Sequence, residues 1–128
     1  MSRDARPDLV RRAVCSATNG LIQWKPECLQ LFLKDRGIPE KYRGASDKAF
    51  RLLLRKRICE DRAEIKTHEE KDPHWLDAHP TDPWLYSLVI PISEVQEGIY
   101  VKMKLLWEDG DDPDDAFVEL ISVHKGLS

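Results

Sequence analysis

What this chain lacks narrows its identity first. No apolar run approaches the ~20 residues needed to cross a bilayer, so no membrane-spanning helix is expected. The opening Met1-Ser2-Arg3-Asp4-Ala5-Arg6 has no apolar core of the kind a signal peptide carries, which makes a cytoplasmic location the expectation. Cysteines number three, an odd count without CxxC spacing, and each falls in a helical pattern beside apolar residues. Cys15, Cys28 and Cys59 therefore read as reduced, buried thiols rather than a disulfide framework. No GxSxG-like turn supports a serine nucleophile. No internal repeat, low-complexity segment or domain boundary interrupts residues 1–128, and 41% hydrophobic content suits one domain with one core.

Charge is present in abundance but unevenly placed. Residues 1–62 hold fifteen Lys and Arg against eight Asp and Glu, a net of +7. Residues 63–128 hold five against fifteen, a net of −10, which gives the −3 of the whole chain. The basic half suits an anionic partner, whereas the acidic half suits a basic protein or simple solubility.

The first half reads as helices. Pro7 suits a first helical position, and Leu9, Val10, Ala13, Val14 and Ala17 recur at helical spacing up to Asn19-Gly20. Leu21 to Trp24 is a short extended link. A second helix begins near Pro26, turns Cys28, Leu29, Phe32 and Leu33 inward, and ends by Gly37. After a loop from Ile38 to Gly44, Ser46 caps a third helix whose apolar face is Ala49, Phe50, Leu53 and Leu54. Arg55-Lys56-Arg57 closes it, cations that suit the negative end of a helix dipole.

The second half reads as strands. Ala63 to His68 is a short one, Lys71 to Pro83 is a loop with three prolines, and Trp84 to Ile92 is β-rich with Pro91 near an end. From Gly98 to Trp107 the pattern alternates: Ile99, Val101, Met103, Leu105 and Trp107 on one face, Tyr100, Lys102 and Lys104 on the other. A partner strand, Ala116 to Lys125, ends in His124-Lys125. Helices first and antiparallel strands afterwards predict an α+β domain, with N-terminal helices packed on one face of a small antiparallel β-sheet.

A phenol, two ammonium groups and an imidazole on one strand pair can hold a phosphodiester and move protons around it. Cleaving RNA without a metal needs a base for the 2′-hydroxyl, cations around the phosphorane and an acid for the leaving oxygen. Imidazole is the side chain that titrates nearest neutrality, so His124 is the first choice for base or acid, with Tyr100 as acid. Lys102, Lys104 and Lys125 are candidate phosphate contacts, and Arg57 belongs to a basic helix end that could track an RNA backbone. The plain alternative is that Tyr100, Lys102 and Lys104 form only the wet side of an amphipathic strand. Whether His124 or Lys125 faces the tyrosine depends on a one-residue register.

The loop residues offer less. His68, His74 and His79 lie near Asp72, Asp77 and Asp82, but their spacings match no standard zinc pattern, so no metal or other cofactor is expected. His74 or His79 could reach over the basic strand face, and Trp75 could stack a base. The acidic run Asp109 to Asp115 lacks the alternate spacing and closing glutamate of a calcium loop and reads as a solvated turn.

The stretch Leu9 to Trp24, the segment Asp72-Pro73-His74-Trp75-Leu76-Asp77 and the ending from Glu97 to Lys125 together resemble the MqsR-like (motility quorum-sensing regulator) toxins, within the RelE-like toxin–antitoxin ribonucleases. The resemblance implies a RelE/MqsR-like fold and a metal-independent endoribonuclease that cuts single-stranded mRNA, free or on the ribosome. It also implies growth inhibition and a cognate protein antitoxin. Tyr100 matches the family's active-site tyrosine, Lys102 the basic position after it, and His124 or Lys125 the terminal lysine. Lys66 stands nearest an earlier active-site lysine. Leu76 replaces a family glutamine, and the acidic pI also departs from the pattern. A non-enzymatic protein-interaction module on a toxin-like fold is the alternative those departures favour.

Overall fold

A computed structural model describes residues 6–15, 22–43, 48–78, 83–107 and 116–125. Among them the chain runs α1 (Arg6–Cys15), β1 (Ile22–Trp24), α2 (Pro26–Lys34), a 3-10 turn (Glu40–Tyr42), α3 (Lys48–Arg55) and a π-helical turn (Lys56–Glu60). There follow β2 (Lys66–Glu69), α4 (Pro73–Ala78), β3 (Trp84–Ile92), β4 (Val95–Trp107) and β5 (Ala116–Lys125). The strands form one sheet in the order β1-β5-β4-β3-β2. The domain is α+β, as the order of patterns predicts. The sheet is mixed rather than antiparallel, because β1 runs parallel to β5 through Ile22↔Val118 and Trp24↔Leu120. Three residues are too few to show a period, which is why Leu21 to Trp24 reads as a link.

The alternation in β4 holds for four of its five apolar positions, and the side chain of the fifth, Trp107, lies outside the described residues. Ile99, Val101, Met103 and Leu105 are buried against Leu88, Ile90, Val118, Leu120 and Val123 and against the helices. From above, Val10, Ala13 and Val14 of α1, Cys28 and Phe32 of α2, and Phe50 and Leu54 of α3 complete the core. Trp24, Phe32 and Phe50 meet there as tilted rings, with centroids 4.9 to 5.5 Å apart. Such pairs add about 0.5–1.5 kcal/mol each beyond area burial.

Two readings of the helical half need correction. Cys15 and Cys59 are not reduced, buried thiols: they form a disulfide, with Cα atoms 5.7 Å apart and 44 residues between them in sequence. Cys15 sits at the exposed end of α1, and the π-helical turn presents Cys59 to it. Neither local pattern carries information about so distant a partner. Cys28 is free and buried, as expected. The Lys71–Pro83 segment is not wholly a loop, because Pro73 to Ala78 forms α4. Asp72 starts it by accepting the His74 backbone N–H (3.0 Å), and Pro73 takes a first-turn position that needs no donor. The helix stops near Asn19-Gly20, the Ser46 cap, His79 and the acidic turn Asp109 to Asp115 lie outside the described residues.

Candidate active site on the open sheet face

The helices α1 to α3 occupy one face of the sheet, and the alternation sends a second set of side chains to the other. Reading across that face, one row is Lys66, Ser87, Lys102 and Ser122 on β2, β3, β4 and β5. The next row toward the β3–β4 turn is Val89, Tyr100 and His124. On the other side lie His68, Leu85, Lys104 and Glu119, with Lys104 and Glu119 directly opposed.

Tyr100 and His124 come together as expected groups. They are direct cross-strand partners, with ring centroids 5.1 Å apart and planes 31° apart. The His124 Nδ1 is 2.8 Å from the Lys125 carbonyl, a contact that suits a protonated Nδ1 and leaves Nε2 for other chemistry. Lys102 occupies the adjacent row, and its ammonium is 3.8 Å from a Glu70 oxygen. At that length the pair is a loose tether rather than a locked hydrogen bond. Lys66 is exposed and shares the row of Lys102, separated by Ser87.

The face owes this composition to a bulge. On β5, Leu120 pairs with Met103 and Ser122 with Lys102, so Ile121 is an extra residue. Strict alternation from Val118 and Leu120 would send His124 into the core and Val123 and Lys125 outward. The extra residue shifts the phase, so Val123 is buried and His124 lies beside Tyr100. Lys125 consequently pairs with Ile99 and turns to the other side, 3.9 Å from Glu97 and packed against Gly37. The register thus selects the histidine.

Lys104 is a second departure. It belongs to the face by alternation but is 1% exposed, because α4 covers it. Its ammonium donates to the Trp84 carbonyl (3.2 Å) and lies 6.0 Å from the Trp75 ring, which Lys25 approaches from 5.9 Å. Lys104 is thus buried beneath α4, away from the exposed cations Lys66 and Lys102, and half-buried Trp75 packs against it. Arg57 lies at the sheet edge, where its Nε donates to the Val89 carbonyl (3.1 Å) and Nη1 is 3.9 Å from Asp61. His74 is exposed on α4.

Three members of the face escape a reading of motifs. His68 reaches Ser87, Nε2 to Oγ 2.5 Å, across the edge pair β2–β3, and Glu70 lies 3.8 Å from Lys102. Lys66, His68 and Glu70 are alternate residues, a period-2 signal that was available in the sequence once the strand is extended past His68. Among the described residues no group of three or more His, Cys, Asp or Glu side chains is placed to hold a metal ion. No helix there is long and apolar enough to cross a membrane. Set against family models, curated proteins and solved structures, the chain matches none of them.

Proposed function

We propose that the chain is a metal-independent endoribonuclease that cuts single-stranded mRNA at the open sheet face, acting as the growth-inhibiting toxin of a toxin–antitoxin pair. The observation that carries this reading is the pairing of Tyr100 with His124 on adjacent strands, next to a row that holds Lys102 and Lys66. A proton acceptor, a proton donor and two cations then fall within a few residues' breadth of one another.

In the reaction, the 2′-oxygen attacks the adjacent phosphorus while the P–O5′ bond breaks. His124 accepts the 2′-hydroxyl proton, and Tyr100 donates one to the leaving 5′-oxygen. Lys102 and Lys66 bind the non-bridging oxygens as charge builds on the phosphorane. The products are a 2′,3′-cyclic phosphate and a free 5′-hydroxyl, and the protons lost and gained balance. Glu70 keeps Lys102 neutralised until phosphate displaces it, an exchange made easy by the 3.8 Å separation. A partner that neutralises the toxin would cover this face or pull its strands apart.

Purified chain with single-stranded RNA in excess EDTA tests the reading. Folded native protein should release 2′,3′-cyclic phosphate ends, and a 2′-deoxy substitution at the cleaved position should block the cut. Tyr100→Phe and His124→Ala should each lower the rate by about 10²–10⁴. Induced expression of the native chain should arrest growth, and those variants should not. Folded native protein that neither cuts RNA nor arrests growth would sink the proposal in favour of a protein-interaction module.

A further inference from the structure

Between α1 and the π-helical turn lies an open pocket of about 440 Å³, lined by Asp8, Arg11, Arg12, Cys15, Cys59 and Arg62, which the nuclease reading leaves unused. That volume falls within the roughly 300–1,000 Å³ common to small-ligand sites. Asp8, Arg11, Arg12 and Cys15 stand at i, i+3, i+4 and i+7, so one face of α1 supplies them all. Cys59 comes from the π-helical turn, and Arg62 from just beyond it. Three guanidinium groups against one carboxylate (3 − 1) leave the lining at +2, and the Cys15–Cys59 disulfide forms part of the wall.

The backbone is arranged to hold these groups together. Arg11 donates Nη1 to the Ile58 carbonyl (2.6 Å) and Nη2 to the Ala63 carbonyl (3.1 Å), which clamps the segment carrying Cys59 against α1. Arg62 has φ +51°, the one positive value at a non-glycine residue among those described. A side chain disfavours that left-handed conformation, and the chain accepts it at a residue that lines the pocket. Arg12, Arg62 and Cys15 are exposed, and Cys59 is half-buried.

We infer that this pocket docks a small anionic thiol of the glutathione class, and that the Cys15–Cys59 bond is what the docked thiol reacts with. The inference stands apart from the nuclease reading. The pocket asks for two functions in one ligand, carboxylate for the arginines and sulfur for the disulfide, and a small peptide thiol carries both. Its thiolate attacks the sulfur of Cys15, the more exposed partner, and a mixed disulfide forms as the bond to Cys59 breaks. Cys59 leaves as a thiolate, favoured by the cations beside it, and takes a proton from water. A second ligand thiolate then attacks the ligand sulfur of the mixed disulfide and releases Cys15, which is protonated in turn. Two ligand thiols thereby lose two electrons and two protons and depart as their own disulfide, while the chain gains two thiols. A neutral or cationic thiol follows the same steps without docking. Preference by charge is therefore the signature of the site.

Two measurements on the whole oxidised chain test this. Binding is separated from reaction by titrating with S-methylglutathione, which has no thiol, and with inorganic phosphate. Amide shifts are expected at Arg12, Cys15, Cys59 and Arg62, with phosphate at least fivefold weaker. The opening rate is then measured with glutathione, neutral 2-mercaptoethanol and cationic cysteamine, each divided by that thiol's rate on a neutral small disulfide. Glutathione should exceed 2-mercaptoethanol by about tenfold, as two cations a few ångström from a carboxylate in water imply, and cysteamine should be slowest. The advantage should shrink in 1 M salt. The first glutathione adduct should be on Cys15. Arg62→Asn removes a charge with a residue that tolerates left-handed backbone, so it should keep the urea midpoint and lose at least threefold of the glutathione advantage. Corrected rates that ignore thiol charge, no shifts with S-methylglutathione, or phosphate binding as tightly would each overturn the docking site.

Discussion

Replacing Cys15 and Cys59 together by serine isolates the disulfide. Cys15 is exposed and Cys59 half-buried, so the serines leave no core cavity and the change acts on the unfolded chain. Closing a loop of this length (44 residues apart) removes an entropy that amounts to about 4 kcal/mol at 25 °C. That is a quarter or more of the roughly 5–15 kcal/mol that holds a domain of this kind together. Its removal should still leave a folded protein. Val10, Ala13 and Val14 of α1 stay buried, and Arg11 still donates to the Ile58 and Ala63 carbonyls at 2.6 and 3.1 Å. Urea unfolding of the oxidised native chain and the double variant should therefore give two cooperative transitions, the variant's midpoint lower. A thiol titration of the denatured, unreduced native chain should find one thiol, and three after reduction. A stability loss under about 1 kcal/mol would refute the loop-entropy argument, and three thiols without reduction would refute the pairing itself.

Other positions give sharper local tests. Gly98 has φ +75°, and a Cβ there would stand 2.7 Å from the Ile90 carbonyl oxygen. Gly98→Ala should cost about 3 kcal/mol in chemical denaturation, from the left-handed backbone and a clash with another strand's main chain. Lys104→Ala should destabilise by about 2–4 kcal/mol, since it opens space under α4 and removes a buried cation, while Lys102→Ala should stay within about 1 kcal/mol. RNA cleavage should respond in reverse, lost in Lys102→Ala, retained by folded Lys104→Ala and unaffected by Lys125→Ala. Burial pushes the Cys28 thiol up from 9.0 to about 11, against the opposing Val123 N–H. The fold favours the neutral thiol, so its contribution is whole below about pH 9 and disappears as pH rises toward about 11. Iodoacetamide should label Cys28 slowly at pH 8 in the folded chain and quickly in urea. Comparable rates in both states would contradict the burial.

Period and chain order carry most of what could be read in advance. Ile99, Val101, Met103 and Leu105 alternate cleanly because β4 has one buried face, and that pattern is local. The start of α2 at Pro26 is local too. What escaped depends on residues far away in sequence. The parallel pairing of β1, the Cys15–Cys59 bond and the burial of Lys104 under α4 all join segments at least 20 residues apart. Helix α4 is the exception. Its Asp72-Pro73 opening is a start signal in plain view, overridden by the prolines around it.

The candidate site sits between these two kinds of legibility. Tyr100 and Lys102 follow from the period of β4 alone, but their partner on β5 does not follow from the period of β5. Val118, Leu120 and Val123 are the buried residues there, and no strict alternation joins 120 to 123. That break in spacing is the bulge written in sequence, and it fixes which neighbour Tyr100 receives. Because β4 keeps its own phase, the face presented by Ser122 and His124 is set by their cross-strand partners, Lys102 and Tyr100. Ile121, freed from pairing, is left to line an open groove of about 340 Å³ between β5 and α2. One extra residue therefore supplies both the imidazole on the face and an apolar wall at its margin.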